Sequence, residues 1–453
     1  MHSSVPPGTR TPRSFVRRIL QPLGRFARIE AASGIVLLIA TLIALLWASS
    51  PWSSAYHALW HTPITLGWGA WVSHQSLHFW INDGLMTIFF LLVGLEIRRE
   101  MHDGALATVR LAALPLIAAA GGVIMPAIIF LALNDDPLLR HAWAVPTATD
   151  IAFAVGVLTL LGKRVPVQLR VLLLAIAIID DIAAILIIAM FYTSGLKLLG
   201  LLIAACGIAL VFAMQRLGIG SALAYVLPGI VVWSGMLYAG VHPSLAGVAL
   251  GLLTPAVPSR AREGLLAAAA GALRESAERL RRDSDARTLL PPVERLKFVQ
   301  REMLPPLLRI ETALHPWVAF GIVPLFALAN AGVDLRGAGE ALQASASLTL
   351  GIALGLVLGK PIGIALATWL SLKLRLAALA EEIDARGVLL IGCLGGIGFT
   401  MSIFIANLAF TDPELLSATK LAVLIGSVCA AVIGLALGHT LLLPRASRGR
   451  DDR

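Results

Sequence analysis

The sequence has few charged side chains for its 453 residues. Only 14% are Asp, Glu, Lys or Arg, whereas about 25% is usual for a soluble globular protein. Hydrophobic residues make up 58% of the chain, and the mean hydropathy is +0.84. This balance excludes an ordinary water-soluble domain and predicts a membrane protein with many helices and short connections.

Cysteines are also scarce, and a nucleotide-binding loop is missing. Cys206, Cys393 and Cys429 all lie in apolar stretches without the spacing of metal ligands, so they indicate neither a disulfide framework nor a metal cluster. No string of the form GxxxxGK[ST] occurs, so the sequence gives no sign of a P-loop that would couple the protein to ATP.

Apolar runs predict about twelve transmembrane helices. Their approximate bounds are 31–50, 80–97, 109–133, 141–161, 171–192, 196–214, 220–238, 240–257, 315–335, 347–371, 386–410 and 417–443. The predicted organisation is a basic cytoplasmic amino-terminal segment (1–30), helices one to eight (31–257), a basic cytoplasmic helical insertion (258–314), helices nine to twelve (315–443) and a cytoplasmic tail (444–453). Within the insertion, REGLLAAAAGALRESAERLRR has helical spacing, and Pro291 and Pro292 are expected to break the pattern.

The distribution of basic residues predicts the orientation of these helices. The net charge is +9, and basic residues in short loops stay on the cytoplasmic side of a membrane. We number each loop by the predicted helix that it follows. The basic residues of the even-numbered loops are Arg98, Arg99, Arg110, Lys163, Arg164, Arg170, Arg216, Lys373, Arg375 and Arg386. Odd-numbered loops contain only Arg140, Lys197, Arg336 and Lys420, and residues 51–79 have no charged residue. Both termini are therefore predicted to face the cytoplasm, and nucleic-acid binding is the less favoured explanation of the charge.

Ionisable residues inside the apolar runs are the candidates for function, since each costs roughly 3 kcal/mol at the centre of an inserting helix. They are Asp83, Asp150, Asp180, Asp181 and Lys360, with Glu96 at an edge. Four carboxylates against one lysine favour an ion or proton pathway over a structural ion-pair network. Neighbouring residues on a helix point about 100° apart, so Asp180 and Asp181 are expected to have different functions.

Two of the apolar runs are interrupted in their middle. The fourth contains VPTATD at 145–150, where proline disfavours helix, although a kinked helix capped by Asp150 is an alternative. The eleventh contains GCLGGIGFT at 392–400, where close helix packing is an alternative use of the glycines. Interruptions at corresponding places in the two halves predict a binding site built from broken helices near the membrane midplane.

Seven strings resemble the NhaA family of bacterial sodium/proton antiporters. They are INDGLMTIFFLLVGLEIRRE, VPTATDIAFAVGVL, LAIAIIDDIAAILIIA, GVHPSLAGV, LHPWVAFGIVPLFALANAGV, GKPIGIA and GGIGFTMSIFIANLAF. The resemblance covers about residues 30–257 and 311–443 in order. It implies an all-α fold with inverted repeats and broken fourth and eleventh helices, a geometry for which this family is a known example. It also implies electrogenic, pH-regulated exchange of Na⁺ (or Li⁺) for H⁺ in the bacterial inner membrane, serving sodium and pH homeostasis, with no enzymatic activity and no cofactor.

The resemblance implies roles for particular residues. Asp180 and Asp181 match the adjacent aspartates of the family's cation and proton site. Asp150, preceded by Thr149, matches the acid at the crossing of the broken helices, and Lys360 matches the lysine that compensates charge there. The candidates for pH sensing are Glu96, Arg99, Glu311, His242 and His315. Thr312 departs from the pattern of relatives that have a histidine beside the glutamate.

The electrostatics of helix ends support this placement without reference to the family. Facing amino ends favour an anion and facing carboxyl ends a cation, so Asp150 and Lys360 fit those positions. Sodium requires oxygen ligands, which carboxylates, threonine hydroxyls and opened backbone carbonyls supply. If protons and sodium share Asp180 and Asp181, the binding of one expels the other.

Residues 51–79 match the region where the family has a periplasmic hairpin that joins two protomers, and PITLGWGAWV gives a modest strand signal. A homodimer is therefore expected. The histidines in this region lack regular ligand spacing and do not indicate a metal site; they are His57, His61, His74 and His78.

Two other classes of function are weighed against antiport. A sodium-coupled organic-solute symporter requires a solute pocket, for which no aromatic or basic cluster is evident. An intramembrane aspartyl protease requires two acids on separate helices, which Asp150 and Asp181 could supply, but the chain has no GxGD string.

Overall fold

The computed structural model describes most of the chain, and the protein is almost entirely helical. The described residues are 32–68, 71–162, 165–193, 195–257, 262–282, 290–337, 339, 342–343, 345–379 and 383–441. The predicted basic amino-terminal segment and the carboxyl-terminal tail lie outside them.

The helices are α1 (Ala32–Ala48), α2 (Ser53–His61), α3 (Leu77–Asp103), α4 (Val109–Leu133), α5 (Pro137–Thr147), α6 (Ile151–Leu160), α7 (Val167–Phe191), α8 (Leu198–Arg216), α9 (Ala222–Ala239), α10 (Ser244–Leu253), α11 (Arg262–Arg282), α12 (Leu290–Met303), α13 (Pro306–Asn330), α14 (Ala346–Lys373), α15 (Ala385–Gly395), α16 (Phe399–Ala409) and α17 (Pro413–Leu441). Strands β1 (Pro63–Trp68) and β2 (Trp71–Ser76) form an antiparallel hairpin in which Pro63 pairs with Ser76 and Trp68 with Trp71. The strand signal in this region is therefore confirmed.

Length and apolar composition identify the helices that can cross a membrane. Eight qualify as single helices, namely α3, α4, α7, α8, α9, α13, α14 and α17. The pairs α1/α2, α5/α6 and α15/α16 qualify only when their two bent halves are taken together, and α10 is a shorter apolar helix. The described residues thus hold eight to eleven such units. The multi-span helical fold is confirmed, and the total of twelve stays a prediction.

Both predicted interruptions are real breaks in the helices. The axes of α5 and α6 differ by 45°, and those of α15 and α16 by 46°. Between α5 and α6, Ala148 and Asp150 have extended backbones, with ψ of 153° and 102°. The backbone between these halves is therefore open, and the alternative of a continuous, merely kinked fourth helix is excluded.

The membrane helices pack as two groups. In the first, α3 packs against α10 and α13, and α9 packs against α8 and α10. The second holds the broken helices together with α4, α7, α14 and α17. The groups meet mainly where α3 contacts α7 and where α13 contacts α16. The broken helices thus lie at the boundary between the two groups.

Close approach of α4 and α14 places Lys360 beside the breaks. A Cβ at Gly121 would lie 2.3 Å from the carbonyl oxygen of Gly363, so the two backbones touch where neither helix has a side chain. Small residues permit this kind of contact in membranes, where packing rather than the hydrophobic effect holds helices together. A Cβ at Gly122 would lie 3.7 Å from Cδ of Lys360, so the lysine stem runs across α4.

Two expectations from the sequence are corrected. Pro291 and Pro292 do not interrupt a helix but lie in the first turn of α12, where missing amide donors cost little. The helix α11 packs against α12, and Arg295 pairs with Glu275 at 3.0 Å. Lys420, counted with the basic residues of the odd-numbered loops although the predicted run 417–443 contains it, lies inside α17 and is only 9% exposed. The long apolar stem of lysine makes such burial tolerable.

Candidate ion-binding site

The two breaks lie against each other, and each satisfies backbone groups of the other. The N–H of Asp150 donates to the carbonyl of Ile397 at 2.7 Å. The hydroxyl of Thr149 lies 2.8 Å from the carbonyl of Gly395, the last residue of α15. Ser402 Oγ donates to the carbonyl of Val145 at 2.7 Å. Lipid offers no hydrogen-bond partners, so open backbone within a membrane-spanning unit is stable only where protein supplies them.

Asp150 lies at the amino ends of both α6 and α16. Its Oδ1 accepts from the N–H of Phe153 at 3.0 Å and so caps α6. Its Oδ2 accepts from the N–H of Thr400 at 3.1 Å and also from the Thr400 hydroxyl. Helix amino ends carry partial positive charge, which stabilises a carboxylate that is only 2% exposed.

Lys360 and Asp180 form a buried ion pair, and both side chains are fully shielded from solvent. Lys360 Nζ also donates to Thr149 Oγ1 at 2.9 Å. The single proton of that hydroxyl goes either to Asp180 Oδ2, at 2.7 Å, or to the carbonyl of Gly395. The ammonium is therefore one hydroxyl away from the carboxyl end of α15, where a positive charge is favoured.

Asp180 and Asp181 face different surroundings. Asp181 lines a cavity together with Asp150 and Thr400, whereas Asp180 is paired with Lys360 outside that lining. Asp181 Oδ1 is buried and has no hydrogen-bond partner among the described residues. The cavity is about 70 Å³, which is room for a few water molecules. Asp150 and Asp181 are therefore the two carboxylates of the break region that a small hydrated cation in this cavity would meet.

Four of the five candidates for pH sensing lie at one end of the cavity region. Glu96 and His315 line the cavity. Arg99 pairs with Glu311 and lies 3.3 Å from Glu100, so it joins α3 to α13.

His242 lies apart from these four, near the opposite end of α3. Its Nε2 is 3.5 Å from Oδ1 of Asp83, and its Nδ1 is 2.7 Å from Ser244 Oγ. The structure therefore separates His242 from the other candidates and gives the membrane-embedded Asp83 a partner.

Thr400 is the contact that sequence reasoning did not name as a site residue. Its hydroxyl and its N–H both reach Asp150, 250 positions earlier in the chain. The available signal was a threonine in the first turn of the helix that restarts after GCLGGIG, where free amide groups and a hydroxyl both point towards an anion.

Comparisons with known proteins show which family the chain resembles along its length. The family model described as Na⁺/H⁺ antiporter 1 matches residues 24–437. The chain is 55% identical over 442 residues to the Na(+)/H(+) antiporter NhaA 2 of Sorangium cellulosum, covering 97% of this chain and 94% of that protein. It is 56% identical over 421 residues to the NhaA of Cupriavidus necator, covering 92% of this chain and 89% of that protein. It is 54% identical over 441 residues to the NhaA of Janthinobacterium sp., covering 97% of each protein. The sequence resemblance is thereby confirmed, and the chain belongs to the Na⁺/H⁺ antiporter 1 family of membrane transporters.

Proposed function

We propose that this chain is a secondary active antiporter that expels Na⁺ or Li⁺ in exchange for H⁺, with Asp181 and Asp150 as the groups that both ions share. The observation that carries the proposal is the division of the acids at the breaks. Asp180 is neutralised by Lys360, whereas Asp150 and Asp181 face one small cavity. One charge-compensated acid and two acids on the cavity wall suit a site that must bind a cation and then release it.

Competition between the ions follows from the chemistry of these groups. A carboxylate offers oxygen to sodium only when it has lost its proton, so a proton and a sodium ion cannot both occupy it. The Thr400 hydroxyl and the opened backbone provide further oxygens close to Asp150. Exchange between the two sides then requires the protein to expose the same carboxylates to each side in turn, and a proton gradient drives sodium outwards.

We further propose that exchange is electrogenic and regulated by pH. If Asp150 and Asp181 both take up protons in exchange for one sodium ion, each cycle moves net charge. The Arg99 and Glu311 pair joins α3 to α13, and Glu96 and His315 lie beside it on the cavity wall. A change of protonation in this cluster would alter both the electrostatic potential at the cavity and the packing of these two helices.

The proposed setting is the bacterial inner membrane, with the Arg98 and Arg99 end of α3 and both termini in the cytoplasm. The β1–β2 hairpin would then lie on the periplasmic side, and we propose that it joins two protomers. A sheet of two strands has unpaired edges, which a second copy can extend.

The cavity argues against the rival functions. Sites for drug-sized organic molecules are usually about 300–1,000 Å³. The space beside Asp150 and Asp181 is about 70 Å³, which is well below that range. Isotopic sodium uptake driven by an imposed pH gradient, without any organic solute, separates the antiporter from both the symporter and the protease.

The direct test uses that uptake in proteoliposomes reconstituted with the chain and with Asp181→Asn. Asparagine keeps the shape of the side chain but neither ionises nor exchanges a proton. We expect the variant to insert into the membrane and to have the thermal stability of the unaltered protein, but to catalyse no exchange.

The matched control is Asp135→Asn, which removes an exposed carboxylate at the end of α4 and should leave exchange unchanged. Measurable pH-driven exchange by Asp181→Asn would refute the assigned role. Absence of exchange by the unaltered chain would refute the antiport proposal itself.

A further inference from the structure

Four polar side chains form a cluster away from the ion site; we name His78, Asn82, Asn330 and Asn407 the amide cluster. Asn330 is fully buried, and its Nδ2 donates to Asn82 Oδ1 at 2.7 Å. Asn330 Oδ1 is approached by Asn407 Nδ2 at 2.7 Å, by His78 Nε2 at 3.0 Å and by Asn82 Nδ2 at 3.3 Å. Buried polar groups need hydrogen-bond partners within the protein, and here the ends of three helices supply them to one another.

The cluster lies on the far side of the ion site from the charged end of the cavity. Asn82 precedes Glu96 by 14 residues on α3, which corresponds to about 21 Å along a helix. Asn330 is the last residue of α13, whereas His315 lines the cavity nearer the start of that helix. Asn407 follows Thr400 by seven residues on α16, or about 10 Å. The Glu96 end of the cavity and the amide cluster thus lie at opposite ends of the boundary between the two helix groups, which we call the path.

The cluster also bridges these two groups. His78 and Asn82 belong to α3 and Asn330 to α13, which pack in the first group. Asn407 belongs to α16, one of the broken helices in the second group. The hydrogen bond between Asn407 and Asn330 therefore joins the element that carries the ion site to the element that faces it.

This bridging bond is suited to being broken. Asn330 Oδ1 has two lone pairs and three donors, so it keeps partners within its own group if Asn407 leaves. Asn407 Oδ1 is buried and has no hydrogen-bond partner among the described residues, so Asn407 is held at its amide nitrogen alone. At the amide cluster, separation of the helix groups would thus break one hydrogen bond and leave Asn330 satisfied. Phe404 of α16 would also lose its ring contacts with Phe90 and Phe326, whose centroids lie 5.3 Å and 6.1 Å away.

We propose that the amide cluster is a latch that closes the far end of the path while the cavity at the other end is formed, and that it opens when the ion site is exposed to the far side. This inference rests on the proposed alternating exchange and adds the residues that hold one of its two states. Asn407 and Asn330 act as positioning residues, because they hold helices together and lie outside the cavity that Asp150 and Asp181 line.

The test compares the KM for sodium on the two sides, using right-side-out and inside-out membrane vesicles that contain the whole chain. The latched state is the one in the structure, so Asn407→Ala should raise the population of the opposite state. An average interhelical hydrogen bond in a membrane corresponds to a shift of about threefold in such an equilibrium. We expect the KM from the latch side to fall about threefold, while the KM from the cavity side rises by a smaller factor.

The matched control is Asn134→Ala. Asn134 is also buried, and its Nδ2 donates to the carbonyl of Phe130 in α4 at 2.9 Å and to that of Ser347 in α14 at 3.2 Å. Both helices belong to the second group, so this variant should lose thermal stability without opposite shifts in the two KM values. If Asn407→Ala does not fold, Asn407→Ser removes the reach to Asn330 with a smaller change in polarity.

Unchanged KM values, or equal changes on both sides, in a folded Asn407 variant would overturn the latch. Failure of the unaltered chain to exchange sodium for protons would instead contradict the proposed function, so the two failures are distinguishable.

Discussion

Removal of the Lys360 ammonium should destabilise the protein mainly by leaving Asp180 unpaired. Lys360→Met keeps an unbranched side chain of similar length on α14 but deletes the charge. Both members of the ion pair are fully shielded from solvent, and Asp180 Oδ1 already has no hydrogen-bond partner among the described residues. Breaking such a buried pair costs about 3–5 kcal/mol, because the remaining charge is left in a medium that solvates it poorly. Thr149 also loses the donor that lies 2.9 Å from its hydroxyl.

The sign of the pH dependence follows from the charge that is left behind. At acidic pH the unpaired Asp180 of the variant can take up a proton, which removes most of the electrostatic cost. At alkaline pH it must either ionise without a partner or hold its proton against the solvent. The stability lost in Lys360→Met should therefore be small at acidic pH and approach its full value at alkaline pH.

The assay is thermal unfolding of the purified protein at acidic and at alkaline pH. The variants form a double-mutant cycle of Lys360→Met and Asp180→Asn. The double variant has no buried charge at this position and should recover most of the stability that either single variant loses. Lys373→Met is the control on the same helix. Lys373 is exposed at the end of α14, where its ammonium lies 4.8 Å from the ring centroid of Trp369, a contact worth about 0.5–1 kcal/mol.

Two results would refute this reasoning. One is a loss of stability in Lys360→Met no larger than that in Lys373→Met at alkaline pH. The other is a double variant that is no more stable than Lys360→Met alone. That result would mean that the charges of Lys360 on α14 and Asp180 on α7 do not interact.

Two further predictions concern the second half of the crossing and the hairpin. Thr400→Val removes the hydroxyl that donates to Asp150 but keeps the N–H contact at 3.1 Å. A hydrogen bond to a charged group contributes about 1.5–3 kcal/mol. We therefore expect kcat/KM for sodium/proton exchange to fall about tenfold or more. Thr400→Ser keeps the donor and should stay near the unaltered rate; equal rates in the two variants would contradict the contact. Deletion of residues 63–76 removes β1 and β2 and should convert the proposed dimer to a monomer in light scattering. An unchanged mass would show that the hairpin does not join protomers.

The amino-acid sequence by itself determined the class of protein and the places where its helices open. The length of an apolar run and the local effect of proline or consecutive glycines are properties of short segments. The predicted run 109–133 accordingly coincides with α4, and the strings at 145–150 and 392–400 coincide with the two breaks. The cost of charge in lipid likewise selected Asp150, Asp181 and Lys360 before any fold was known.

The tertiary structure decided which of these groups meet. Lys360 pairs with Asp180, 180 positions away, and leaves Asp181 to face the cavity. Thr400 reaches Asp150 across 250 positions, whereas His242 joins Asp83 rather than the other candidates for pH sensing. Helical periodicity shows that two adjacent aspartates point in different directions, but not which direction holds the lysine. That choice depends on how α4, α7 and α14 pack, and contacts between distant segments are set by the shapes of all the helices together.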